Sequence, residues 1–119
     1  MTALECLRAA TAAGDGYQLV VNEFIDDFRH AHGEERNRLV ADPISQAGAL
    51  EGLVAGVVSA LCREAAMPAP AWTSQIASPA PFFAFPARSF EMRLRLMVES
   101  PPAFRVRRVF VPSDYLSRA

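Results

Sequence analysis

Apolar residues in the first half of the chain recur with the period of a helix. Tyr17, Val20, Val21, Phe24, Ile25 and Phe28 follow i, i+3, i+4, i+7, i+8 and i+11. That spacing paints one face of an amphipathic helix, whose other face carries Asn22, Glu23, Asp26, Asp27 and Arg29. Leu50, Leu53, Val54, Val57, Val58, Leu61, Cys62 and Ala65 form a second stripe. This predicts a helix over about 46–66, ~30 Å long at 1.5 Å per residue, with Ser45 as its cap. Thr2 followed by Glu5 is a capping-box pattern and predicts an earlier helix to about Ala13. Gly14-Asp15-Gly16 breaks that helix, and Asp15 with Gln18 is placed to cap the next. Gly33 is a stop signal, and Glu34 to Ala41 reads as a short helix ended by Pro43.

Gly48, Gly52 and Gly56 recur every four residues on one flank of the second stripe. Each costs up to ~1 kcal/mol relative to Ala inside a helix. Either the helix tolerates them or they form a groove where another element approaches closely. A homodimer through this flank is one way to fill such a groove.

The pattern then changes. Met67 to Ala87 holds Pro68, Pro70, Pro79, Pro81 and Pro86 but also Trp72, Phe82, Phe83 and Phe85. The prolines oppose regular structure. The aromatics oppose disorder, so an ordered loop anchored over the helices is expected. Phe90 to Val98 fits two periods. Phe90, Met92, Leu94 and Leu96 alternate with charges, whereas Phe90, Leu94 and Met97 share a helical face. The helical reading is preferred, with Ser100-Pro101 starting a short helix through about Arg108, because a Pro-Pro pair suits a helix start better than a tight hairpin turn. The alternative is a C-terminal β-hairpin turning at 100–103, which would make the fold α+β. Ser113 is placed to cap a last turn over Asp114 to Arg118.

These elements predict one all-α domain over 1–119: an acidic helical part (1–67), a Pro/aromatic loop (68–87) and a basic C-terminal element (88–119). Trp72, Phe104 and Phe110 are the expected anchors of its closure.

Charge sharpens this division. Residues 1–67 carry ten acids against five Arg, a net of −5. Residues 68–119 carry seven Arg against Glu91, Glu99 and Asp114, a net of +4. The asymmetry implies either internal pairing with the acidic face of the Tyr17–Phe28 helix or an anionic partner. Arg105, Arg107 and Arg108 are the candidate partner-binding residues, through an acidic protein or, in the alternative of a nucleic-acid-associated accessory protein, through phosphates. A sequence pI near 6.1 and the lack of a helix-turn-helix pattern argue against DNA binding by this chain alone.

Catalytic chemistry finds little purchase. There is no GxSxG, P-loop or GxGxxG pattern. His30 and His32 are two apart and would face apart on a helix, so no metal site and no cofactor are expected. Glu23, Asp26 and Asp27 lack a partnering His or Cys and read as a solvated acidic face. Ser100 has no activating base and reads as a cap. Cys6 and Cys62 are expected as free core thiols of a cytoplasmic protein. No basic-then-apolar leader begins the chain, and Leu50 to Cys62 is too short and mixed to span a bilayer.

Asn22–Ala31 (NEFIDDFRHA), Met67–Trp72 (MPAPAW) and the stretch from Phe85 onward, with its SPPAFRVRRVFV core, resemble the C-terminal region of actinobacterial helix-turn-helix regulators of the XRE type. The similarity would span residues 17–119. It implies an antitoxin-like or regulatory module that binds a protein partner, such as a nucleotidyltransferase-like toxin, and it brings no catalytic residues. The regulators' DNA-binding domain has no counterpart in this sequence, so protein–protein interaction is what the resemblance implies here.

Overall fold

A computed structural model of the chain describes residues 1–84 and 87–118, and Phe85 lies outside them. The fold is predominantly helical, as the periodicity predicts, and the strands among the described residues amount to one two-residue pair. Helix α1 spans Ala3–Ala13, α2 Tyr17–His30, α3 Glu34–Ala41, α4 Ala49–Glu64, α5 Phe90–Glu99 and α6 Pro102–Arg105. Strands β1 (Phe82–Phe83) and β2 (Val109–Phe110) pair in parallel.

The Thr2–Glu5 capping box forms in full: the Glu5 N–H donates to Thr2 Oγ1 at 3.1 Å and the Thr2 N–H to Glu5 Oε1 at 2.8 Å. The predicted Asp15–Gln18 cap does not form. Residues Gly14–Gly16 instead make a single 3₁₀ turn with Gly14 at φ +57°, so α1 runs into α2 without a side-chain cap. Arg36 closes the far end of α2. Its Nε donates to Phe28 O and its Nη2 to Arg29 O, both at 3.1 Å, while its guanidinium lies 5.2 Å over the Phe28 ring. A cation on terminal helix carbonyls satisfies orphan acceptors and opposes the macrodipole.

Helix α4 is the centre of the core. Its predicted stripe is buried from Leu53 through Cys62, and so are Gly52, Ala55 and Gly56 on other faces. It packs against α1, α2, α6 and β2. It starts three residues later than predicted. Ser45 stays in an exposed loop and Gly48 is the cap residue, held by its N–H to Ala77 O at 3.3 Å.

The glycine flank is a groove filled from within the chain. A Cβ on Gly52 would lie 2.8 Å from the Ser78 backbone N, and one on Gly56 2.8 Å from Phe104 Cδ1. The flank is therefore covered and does not offer a homodimer surface. Phe104 is fully buried there and meets Tyr115 edge-on at 5.5 Å. Burying such a ring contributes roughly 2–3 kcal/mol.

The Pro/aromatic loop is ordered where it is described. Trp72 sits half-buried in a 3₁₀ turn, Ala71–Gln75, and its Nε1 donates to Val40 O at 3.0 Å. Phe110 is buried beside Phe83, ring centroids 5.2 Å apart. The C-terminal stretch divides differently from either expectation. Residues 90–99 are helical, but the second helix stops at Arg105 and Val109–Phe110 turn into a strand. That strand pairs with Phe82–Phe83 rather than within a hairpin, because the Phe82 and Ala84 N–H groups reach Arg108 O and Phe110 O.

Candidate interaction surface

Helix α5 is set by local signals. The Ser89 side chain accepts from the Met92 N–H at 3.1 Å as an N-cap, and the Ser100 N–H closes on Leu96 O at 3.0 Å. The helix is tethered to the body at Arg93 and at its C-terminal end. Arg93 Nε donates to Ala87 O at 2.9 Å and its guanidinium lies 5.8 Å over the Phe83 ring. At its end Ser100 is buried. Its Oγ accepts from the Val111 N–H at 2.8 Å and lies 2.6 Å from Leu96 O, joining α5 to the strand end. The cap position that the sequence assigned to Ser100 belongs to Pro101, with Pro102 opening α6.

No residue of α5 is buried. Phe90 is 80% exposed and Val98 68% exposed, and Leu94 and Met97 are exposed as well. At 100° per residue these four fall on one stripe ~100° wide. A ten-residue helix is marginal on its own, because isolated helices below ~12 residues rarely hold in water. Its apolar stripe is thus an unpartnered face of the kind that marks an interaction site.

The three candidate arginines separate in space. Arg107 is 7% exposed, and its Nε and Nη2 donate to Thr73 O at 3.1 and 2.8 Å while Nη1 donates to Ala103 O at 2.6 Å. Burial lowers its pKa from the ordinary arginine value. This side chain joins the loop to α6 and is not available to a partner. Arg105 and Arg108 are exposed, with Nη1 of each reaching a single carbonyl, Val98 O at 3.5 Å and Pro79 O at 3.1 Å. None of the three pairs with the acidic face of α2. Arg29 bridges Glu64, and Asp27 takes the Met1 amino group at 3.0 Å. Arg95 pairs with Glu99 along α5. The charge asymmetry read from the sequence is therefore not neutralised by ion pairs between α2 and these arginines.

Glu23, Asp26 and Asp27 lie exposed on α2, and His30 Nδ1 rests 2.8 Å from Asp26 O. No group of three or more metal-ligating side chains occurs among the described residues. No helix among them is long and apolar enough to cross a membrane. Cys6 and Cys62 are unpaired and buried. Sequence reasoning counted Phe90, Leu94 and Met97 as a helical face but did not read that face as a surface. The signal was the Glu91–Arg93–Arg95–Glu99 charge that interleaves it.

No protein family, curated protein or solved structure matches the chain.

Proposed function

We propose that the protein is a non-catalytic protein-interaction module whose contact surface is α5, with the exposed arginines Arg88, Arg95 and Arg105 on or beside it and Arg108 exposed after α6. The observation that carries this is a capped, tethered helix with an apolar stripe and no buried residue. A helix held by a few tethers, with Leu96 half-buried and no residue fully buried, gains stability when a partner covers it. The resemblance to antitoxin-like regulators supports the same reading and suggests a regulatory role. The exposed arginines steer association and set orientation more than they add affinity. Arg107 belongs to the fold in this reading. Phosphate contact is the weaker alternative, since the cluster that would make it is reduced to Arg105 and Arg108.

The test is capture from nuclease-treated native lysate with the tagged protein and with a Phe90→Asp/Met97→Asp variant. Wild type should recover a protein in stoichiometric amount, and the variant should lose it while keeping its helical circular dichroism. Recovery of no protein by wild type, or equal recovery by both, rejects the reading.

A further inference from the structure

We infer that the occupant of the α5 stripe is a second copy of the chain, bound antiparallel through its own α5. This rests on the reading of α5 as an interaction surface and names what covers it.

Glu91 and Arg95 carry opposite signs on one flank of the stripe, with Arg88 just before the helix and Glu99 at its end, so the charges alternate in order. A row reading plus, minus, plus, minus becomes complementary to itself when reversed. With a two-fold axis at Leu94, Phe90 of one copy lies opposite Val98 of the second, and Leu94 meets its own equivalent. In that register Glu91 and Arg95 of the second copy differ by about 3 Å along the axis at 1.5 Å per residue. Glu99, the last residue of α5, falls beside the N-terminal, positive end of the second copy's helix, which Arg88 precedes. The same two-fold pairing occurs twice, as an isologous contact demands. A merely acidic partner would favour a rim of one sign, and this rim is mixed.

The body leaves the flank open. Arg93, the remaining charged residue of α5, is turned to Ala87 and Phe83. The Arg95–Glu99 pair within one helix is highly exposed on the Arg95 side and can be exchanged for pairs between helices. Antiparallel helices also oppose their dipoles favourably. A single pair of ten-residue helices makes a small interface, so the dimer is expected in the micromolar range.

The experiment is sedimentation equilibrium of the full chain from about 1 µM to about 500 µM, a range that brackets such an affinity. Wild type should pass from monomer to dimer. Leu94→Arg, which sets two cations on the two-fold axis, should weaken the dimer by more than ~10-fold with its melting temperature at low concentration unchanged. Glu91→Arg and Arg95→Glu should each weaken it, and the double exchange should restore it to within ~3-fold, because the row keeps its self-complementarity. A protein that stays monomeric throughout overturns the inference, as does a dimer indifferent to Leu94→Arg or a double exchange weaker than both single variants. If that monomer still captures a protein through its stripe, the inference alone falls and the broader reading stands.

Discussion

The Arg107 guanidinium clasps the Thr73 carbonyl with two nitrogens, Nε at 3.1 Å and Nη2 at 2.8 Å. The residues are 34 apart in sequence, and a third bond to Ala103 O fastens the start of α6 to the same side chain. The clasp is a buried cation whose partners are all backbone acceptors. Its removal leaves the Thr73 carbonyl with only the long Ile76 N–H contact at 3.5 Å and takes a donor from Ala103 O, at ~1–3 kcal/mol each where buried. Arg107→Ala should destabilise the fold by about 3 kcal/mol, whereas Arg105→Ala should stay within ~0.5 kcal/mol. Urea denaturation of the two variants decides this. Equal midpoints would mean that Arg107 is not part of the closure.

Helix α4 ends in a Schellman turn built on an alanine. The Met67 N–H reaches Cys62 O at 2.9 Å and the Ala66 N–H reaches Arg63 O at 3.1 Å, with Ala66 at φ +56°. Left-handed backbone costs an L-residue roughly 1 kcal/mol that glycine avoids. Ala66 is exposed, so nothing else is lost on substitution. Ala66→Gly is expected to raise stability by about 0.5–1 kcal/mol, seen as a higher thermal midpoint; a lower one contradicts the account.

These two sites show what local sequence can and cannot convey. The capping box at Thr2, the apolar stripes of α2 and α4 and the extent of α3 are short-range patterns, and all appear where the pattern puts them. Ser45 failed as a cap because the start of α4 depends on Gly48 meeting Ala77, a contact with the distant loop. The parallel pairing of Phe82 with Val109 and the Arg107 clasp are likewise non-local and leave no periodic trace. For α5, period told which residues share a face, and the Ser89 cap decides helix over strand. Period does not tell whether a face meets the core or solvent. That is why the stripe became a candidate surface only once its exposure was known.

The capping box carries a pH dependence. Hydrogen bonding from the Thr2 backbone N–H, with a smaller part from its side chain, holds the Glu5 carboxyl below its ordinary value. A lowered carboxyl contributes stability above its unfolded pKa, near ~4.3, and loses it as pH falls through the lower folded value. Glu5→Gln keeps the geometry without the charge. Its melting temperature should lie below wild type at neutral pH and converge with it at about pH 3. A gap that widens on acidification would refute the charge argument.

The two cysteines should be chemically silent. Burial pushes the Cys6 thiol up to about 12, with Glu23 adding to the rise, and burial also raises Cys62. The thiolate is the reactive form, and neither thiol has the exposure that a reagent needs. A thiol-reactive disulfide near pH 8 should leave the native protein unmodified and titrate two thiols once denaturant is added. Rapid reaction of the native protein would mean that α1 or α4 opens more readily than the packing indicates.

The glycine flank of α4 gives the sharpest test of how the domain closes. Two effects oppose each other at Gly52 and Gly56. Alanine gains up to ~1 kcal/mol of helix propensity, and its methyl must find room. At Gly56 the obstacle is the Phe104 ring at 2.8 Å, a side chain rather than backbone. At Gly52 the obstacle is the Ser78 backbone N, whose N–H is fixed to Arg107 O at 2.9 Å, and that residue is itself held by Thr73. Backbone bound at both ends yields less than a ring. Gly52→Ala should therefore destabilise by about 2 kcal/mol net and Gly56→Ala by about 1 kcal/mol or less. Combining Gly52→Ala with Arg107→Ala should cost less than the sum, because releasing the clasp lets the loop retreat from the methyl. Thermal denaturation of the four proteins in this cycle measures the coupling. Strict additivity would mean that the loop over Gly52 is held by something other than Arg107.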